Sequence, residues 1–191
     1  LYIEIMTPRL QLLRVLDAIV NPERNLFALT DLRGALPELS AAQLKVLLSR
    51  MVKRGDLQRV CRGIYRHPRH KADSSTVLAR TAVRLRAGHF LYLSLESVLS
   101  QYGIISQLPI DRLTLMTSGR KGEIDCGQWG IIEFTHTQRG PNQCPGELSY
   151  DSEQQLWIAS PQLAWRDLKF VGRNLDLVDQ NLLKEFDHAA I

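Results

Sequence analysis

The sequence predicts an α+β protein in two parts, and three observations carry that expectation. Apolar residues recur at helical spacing in some segments and in short strand-like runs in others, without strict strand–helix–strand alternation. Length comes second: 191 residues suffice for one large domain or two small ones. The third is a break in charge. Residues 1–71 carry 13 Lys or Arg against 6 Asp or Glu, a net of +7, whereas residues 72–191 carry 11 against 14, a net of −3. Opposite signs predict two jobs, so the expected domains are 1–71 and 72–191.

In the first part, Thr7 caps a helix that Pro8 opens, with Leu10, Leu13, Leu16 and Ile19 recurring up to the Asn21-Pro22 break. A loop containing Phe27 follows. Thr30 then starts a short second helix, which Pro37 ends. Ser40 and Gln43 have the spacing of a capping box and open a third helix that runs to Arg54 and stops at Gly55. Its Leu44, Leu47, Leu48 and Met51 share one face. Leu57 and Val60 begin a strand, Arg62-Gly63 turns it, and a return strand ends at Pro68. Helix, helix, helix, hairpin is the order of a winged helix-turn-helix domain. Residues 69–76 are polar and read as a linker.

The second part reads as a mixed α+β domain. Helices are expected at Val77–Arg86, Ser94–Tyr102, from Ser160-Pro161 through Leu168, and at Asp179–His188. Leu113–Met116 and Ile131–Phe134 read as strands separated by a Gly-rich turn region, with a short strand at Ile158-Ala159 and a loop over 139–152.

Charge on the third helix and hairpin carries the functional expectation. Between Ala41 and Lys71 stand nine Lys or Arg and one acid, Asp56. A helix of this length spans about 21 Å and fits a major groove about 12 Å wide. Opposite its apolar face lie Ala42, Val46, Ser49 and Lys53, flanked by Lys45 and Arg50. The small residues permit close approach, Gln43 is a candidate for adenine, and Arg50 or Lys45 for guanine or phosphate. Arg59, Arg62 and Arg66 on the hairpin are expected on phosphates or in the minor groove. The candidate duplex-DNA contacts are therefore Ser40, Ala42, Gln43, Lys45, Val46, Ser49, Arg50, Lys53, Arg54, Arg59, Arg62 and Arg66.

Other chemistries find less support. Cys126, His136 and Cys144 lack the close pairing of structural zinc sites, and three cysteines fit a reducing compartment. No metal site and no cofactor is expected. Glu123, Asp125 and Glu133 are the carboxylates a metal-dependent nuclease would draw on. Thr135, however, stands where the Asp…Glu-x-Lys pattern wants lysine. Ser94, Ser97 and Ser100 lie outside any G-x-S-x-G elbow, and no phosphate-binding Gly motif occurs. No apolar run approaches the roughly 20 residues of a membrane span. The expectation is a cytoplasmic, non-enzymatic DNA-binding protein with no membrane partner.

Several segments of the second part resemble AbiEi-type antitoxins of abortive-infection systems. Tyr92-Leu-Ser-Leu-Glu-Ser-Val-Leu-Ser-Gln-Tyr-Gly-Ile104 resembles the helix that follows the winged domain there. Leu113-Thr-Leu-Met-Thr-Ser-Gly-Arg120 resembles that family's strand leading into a basic turn, and Trp129-Gly-Ile-Ile-Glu-Phe134 is similar to its returning strand. Ile158-Ala-Ser-Pro-Gln-Leu-Ala-Trp-Arg-Asp-Leu168 resembles its strand-to-helix segment. The resemblance covers most of residues 25–185, in order. It implies a repressor that binds inverted repeats in its own promoter. It also implies a type IV antitoxin that counteracts a nucleotidyltransferase-like toxin without a stable complex. A plasmid or mobile-element regulator without antitoxin activity and a metal-dependent nuclease are the alternatives.

Overall fold

The computed structural model describes residues 6–106 and 111–188. Among them stand seven α-helices and two sheets, an α+β architecture. The chain parts into two compact units, Leu1–Asp73 and Ser74–Ile191.

The first unit runs α1 (Pro8–Ile19), β1 (Leu26–Ala28), α2 (Leu29–Ala35), α3 (Ala41–Lys53), β2 (Gln58–Cys61) and β3 (Ile64–Arg66). Thr7 Oγ1 accepts from the Leu10 amide at 3.4 Å and Pro8 takes the first turn, where no intrahelical donor is missed. Both bonds of the α3 capping box form: Ser40 Oγ accepts from Gln43 N (3.2 Å), and Gln43 Oε1 accepts from Ser40 N (2.9 Å). Gly55, at φ +79°, takes the left-handed conformation just beyond the helix. The sheet order is β1-β3-β2, antiparallel throughout. Arg62-Gly63 forms the two-residue turn between Cys61 and Ile64, with Gly63 at φ +83°. Leu12, Leu16, Phe27, Leu32, Leu44, Leu48, Met51 and Leu57 close one core.

Two expectations change here. The segment expected as a loop around Phe27 is β1, which pairs Leu26 with Arg66 and Phe27 with Tyr65. A three-residue strand is too short to show any period. Helix α2 accordingly starts at Leu29, and Asp31 Oδ2 accepts from Ala28 N at 2.9 Å to finish its end.

The second unit runs α4 (Ser74–Leu85), β4 (Leu91–Leu93), α5 (Leu95–Gln101), β5 (Arg112–Thr117), β6 (Gly122–Asp125), β7 (Ile131–His136), β8 (Leu148–Asp151), β9 (Leu156–Ala159), α6 (Pro161–Val171) and α7 (Gln180–His188). Its sheet order is β6-β7-β5-β4-β9-β8, with β5/β7 and β4/β9 parallel and the remaining pairs antiparallel. Five successive β5 residues, Leu113 to Thr117, are buried, so both faces of this central strand are covered. Helices α4 and α5 pack on β5, and α6 packs on α5 and β9.

Four corrections follow in this unit. The Gly-rich turn region contains strand β6, and the expected loop 139–152 contains β8. The Tyr92–Ile104 segment is not one helix but β4 followed by α5, and the first helix of the unit is α4. That helix starts at Ser74, inside the stretch expected as a linker. Among the described residues no helix is long and apolar enough to cross a membrane.

Candidate nucleic-acid interface

Helix α3 buries Leu44, Leu48 and Met51, and 3.6-residue periodicity turns the rest outward. Ser40, Ala42, Gln43, Lys45, Val46, Ser49, Arg50, Lys53 and Arg54 are all exposed, as are Arg59 and Arg62 on the hairpin. All of these except Ser40 divide between two concavities. Lys45, Ser49 and Lys53 share the first with Arg59 and Arg62, together with Leu29, Val52, Gly63 and Tyr65. Ala42, Gln43, Val46, Arg50 and Arg54 line the second with the start of α1, Thr7 to Leu10. The first holds four cations and no acid, so its walls concentrate positive potential.

Arg66 departs from expectation. It is 3% exposed, and its guanidinium donates to Gln58 Oε1 at 2.7 Å and to the His70 carbonyl. The cause is the sheet order: β1 makes β3 the central strand, with Arg66 registered against Leu26 on one side and Gln58 on the other. A surface contact to phosphate is excluded for it. Gln43 is also committed. Its Oε1 closes the capping box, and a bidentate contact to adenine would need that same oxygen.

Sequence reasoning missed Arg9. It holds both oxygens of Asp56, the single acid between 41 and 71, at 2.7 and 2.6 Å. These hydrogen bonds pull the Asp56 carboxyl below the usual carboxylate range. The pairing removes the one negative charge that would offset the cations of this segment. A separation of 47 residues leaves no local pattern by which to find it.

In the second unit the carboxylates considered for a nuclease are tied to arginines. Glu123 and Glu133 face each other across β6 and β7, and Arg112 Nη1 donates to both, at 2.6 and 2.8 Å. Arg173 also donates to Glu133, and it donates to Glu96 from Nε (2.6 Å) and Nη2 (3.0 Å). Burial pushes the Glu96 carboxyl up, but hydrogen bonds from Arg173, its own backbone and Asn174 outweigh it and hold the group below its ordinary value. Asp125 instead accepts from Gly127 N at 2.7 Å. Of the residues weighed for zinc, Cys126 and Cys144 are buried, while His136 is exposed and bonded to the Gly119 carbonyl. Among the described residues, no three His, Cys, Asp or Glu side chains gather as a metal site would need.

No protein-family model matches the chain, and no curated protein sequence matches it. Its fold is similar to that in the crystal structure of the RV2827C protein from Mycobacterium tuberculosis, with a TM-score of 0.54 and 14% sequence identity. The similarity covers 81% of this chain and 57% of that one, so this chain matches little more than half of that protein's length. At this identity the likeness is one of fold alone.

Proposed function

We propose that the protein is a transcriptional repressor that binds duplex DNA through a winged helix-turn-helix formed by its first unit. The cationic concavity between α3 and the β2–β3 hairpin carries this reading, with Lys45, Lys53, Arg59 and Arg62 around it and the neighbouring acid neutralised by Arg9. Supporting it is the element order, with an exposed helix ahead of a tight hairpin. In this reading α3 enters the major groove, Ser49 and Arg50 reach base edges, and the hairpin arginines hold phosphates.

Duplex binding measured by fluorescence anisotropy tests the proposal. Affinity should fall steeply with salt, and Arg59→Ala/Arg62→Ala should reduce the salt slope by about 2 while weakening all duplexes alike. Arg50→Ala should relax sequence preference. No duplex binding near physiological salt, or no preference for the protein's own promoter over random DNA, would sink the reading.

The resemblance to AbiEi-type antitoxins supports a second role, autoregulation of an operon and antagonism of a nucleotidyltransferase-like toxin without a stable complex. Restored growth of cells expressing such a toxin is the expected result of co-expression. A regulator without antitoxin activity predicts promoter binding and no rescue. The proposed role is non-enzymatic, with Arg112 and Arg173 occupying the carboxylates a metal would need. Incubation with Mg²⁺ should therefore leave DNA intact; cleavage abolished by Glu133→Gln would overturn that part.

A further inference from the structure

We propose that the β5–β6 turn of the second unit is a phosphate-binding site, separate from the interface on α3. Arg86, His89, Arg120, Lys121 and His136 line one concavity at this turn, with Glu123 the single carboxylate among its lining residues. That carboxylate is already held by Arg112 at 2.6 Å. Three permanent cations and two imidazoles thus converge in a stretch of the chain, 72–191, whose net charge is −3. Like charges gathered this way repel one another, and a bound anion relieves that repulsion.

The turn is held in shape rather than left to drift. Phe90 N donates to Ser118 Oγ at 3.0 Å, and Ser118 N donates to the Phe90 carbonyl at 2.9 Å. Arg86 stacks over the Phe134 ring, 3.9 Å from its centre, and donates to the Arg120 carbonyl at 2.9 Å. It acts as a positioning residue for the turn. Gly119 is closely packed: a Cβ there would lie 3.1 Å from both Arg86 Cδ and His89 Cγ, so any larger residue would press on these two side chains. His136 Nδ1 is bonded to the Gly119 carbonyl at 2.8 Å, which ties the imidazole to the turn. Arg120 and Lys121 are exposed and supply the free charge. Arginine forks and lysine point charges are the side chains that suit phosphoryl oxygens.

A phosphoryl group reaches such a turn from a nucleic-acid backbone or from a mononucleotide, and amide NMR spectra of the isotope-labelled full chain separate the two. The probes are a short duplex of random sequence and adenosine monophosphate, each taken to about 1 mM, beyond the ~10⁻⁴ M weak end of non-specific DNA binding. Saturable shifts at Ser118, Gly119 and Gly122 are expected. Shifts with the duplex alone assign the phosphodiester backbone; shifts with adenosine monophosphate assign a mononucleotide. Arg120→Gln/Lys121→Gln, at two exposed positions, should abolish these shifts and leave those on α3 in place. No shift at the turn with either probe overturns the site, as does persistence of the shifts in that variant. Shifts confined to α3 and the hairpin would uphold the proposed function and reject this site, and shifts confined to the turn would do the reverse.

Discussion

Asp167 is fully buried, and it accepts from Ser94 Oγ at 2.7 Å, Tyr92 Oη at 3.0 Å and Arg139 Nη1 at 2.5 Å. One carboxylate therefore ties α6 to the end of β4 and the start of α5. Burial, together with the Asp167 charge, pushes the Tyr92 phenol well above its ordinary value, so it stays a donor. Leu95 follows directly at φ +58°, a conformation that costs a non-glycine residue about 1–3 kcal/mol unless its surroundings impose it. Here the flanking bonds of Ser94, including the one its carbonyl accepts from Thr114 Oγ1 at 2.9 Å, impose it. Removing the acceptor by Asp167→Ala should lower stability by about 3 kcal/mol, read as a reduced urea midpoint at unchanged m. Gly130 makes a second prediction of this kind. It sits at φ +115°, and a Cβ would lie 2.1 Å from the Asp111 carbonyl oxygen. Gly130→Ala should therefore displace the backbone where β7 begins and cost more than the roughly 0.5–1 kcal/mol of an ordinary glycine effect, by the same measurement.

Helix α3 shows an element whose ends and faces were both written in its residues. Its cap pair, its terminal glycine and its buried leucines all stand where their spacing predicts. Ser40→Ala should cost about 1 kcal/mol in thermal or urea unfolding, with Gln43 losing half of its reciprocal pair. The short strands were less legible. Strands β1 and β4 have three residues each, and β4 is buried at every position, so neither could show the alternation that marks a half-exposed strand. Strand β6 hid in a glycine-rich stretch because its pairing partner, not its composition, makes it a strand. The exposed candidate residues of α3 followed from helical period alone. Arg66 did not, because its burial depends on β1, an element with no sequence signal.

At the scale of the whole molecule, charge makes stability depend on pH. The Glu96 and Asp56 carboxyls are held below their ordinary values, so their ion pairs add stability at neutral pH that is lost as pH falls through the folded values. Burial lowers the His67 imidazole further than the Asp17 charge raises it. The folded state therefore resists protonating His67, and acid again favours unfolding, beginning near the unperturbed value of about 6.5. Tyr92 works in the opposite direction. With its phenol raised, its contribution is complete below about 10 and is lost as pH rises beyond that. A plot of Tm against pH should be a dome, falling first on the acid side below about 6.5. Sheet order adds a consequence for biosynthesis. In the second unit β4 pairs with β9, Leu93 opposite Ile158, so one side of β4 stays open until the last strands have been made. The strands of the first unit, by contrast, find their partners within residues 26–66. During translation the second unit waits with an unpaired strand edge, an invitation to aggregate. Chains interrupted between Leu93 and Leu156 should accumulate as insoluble material, whereas the 1–73 fragment should remain in solution.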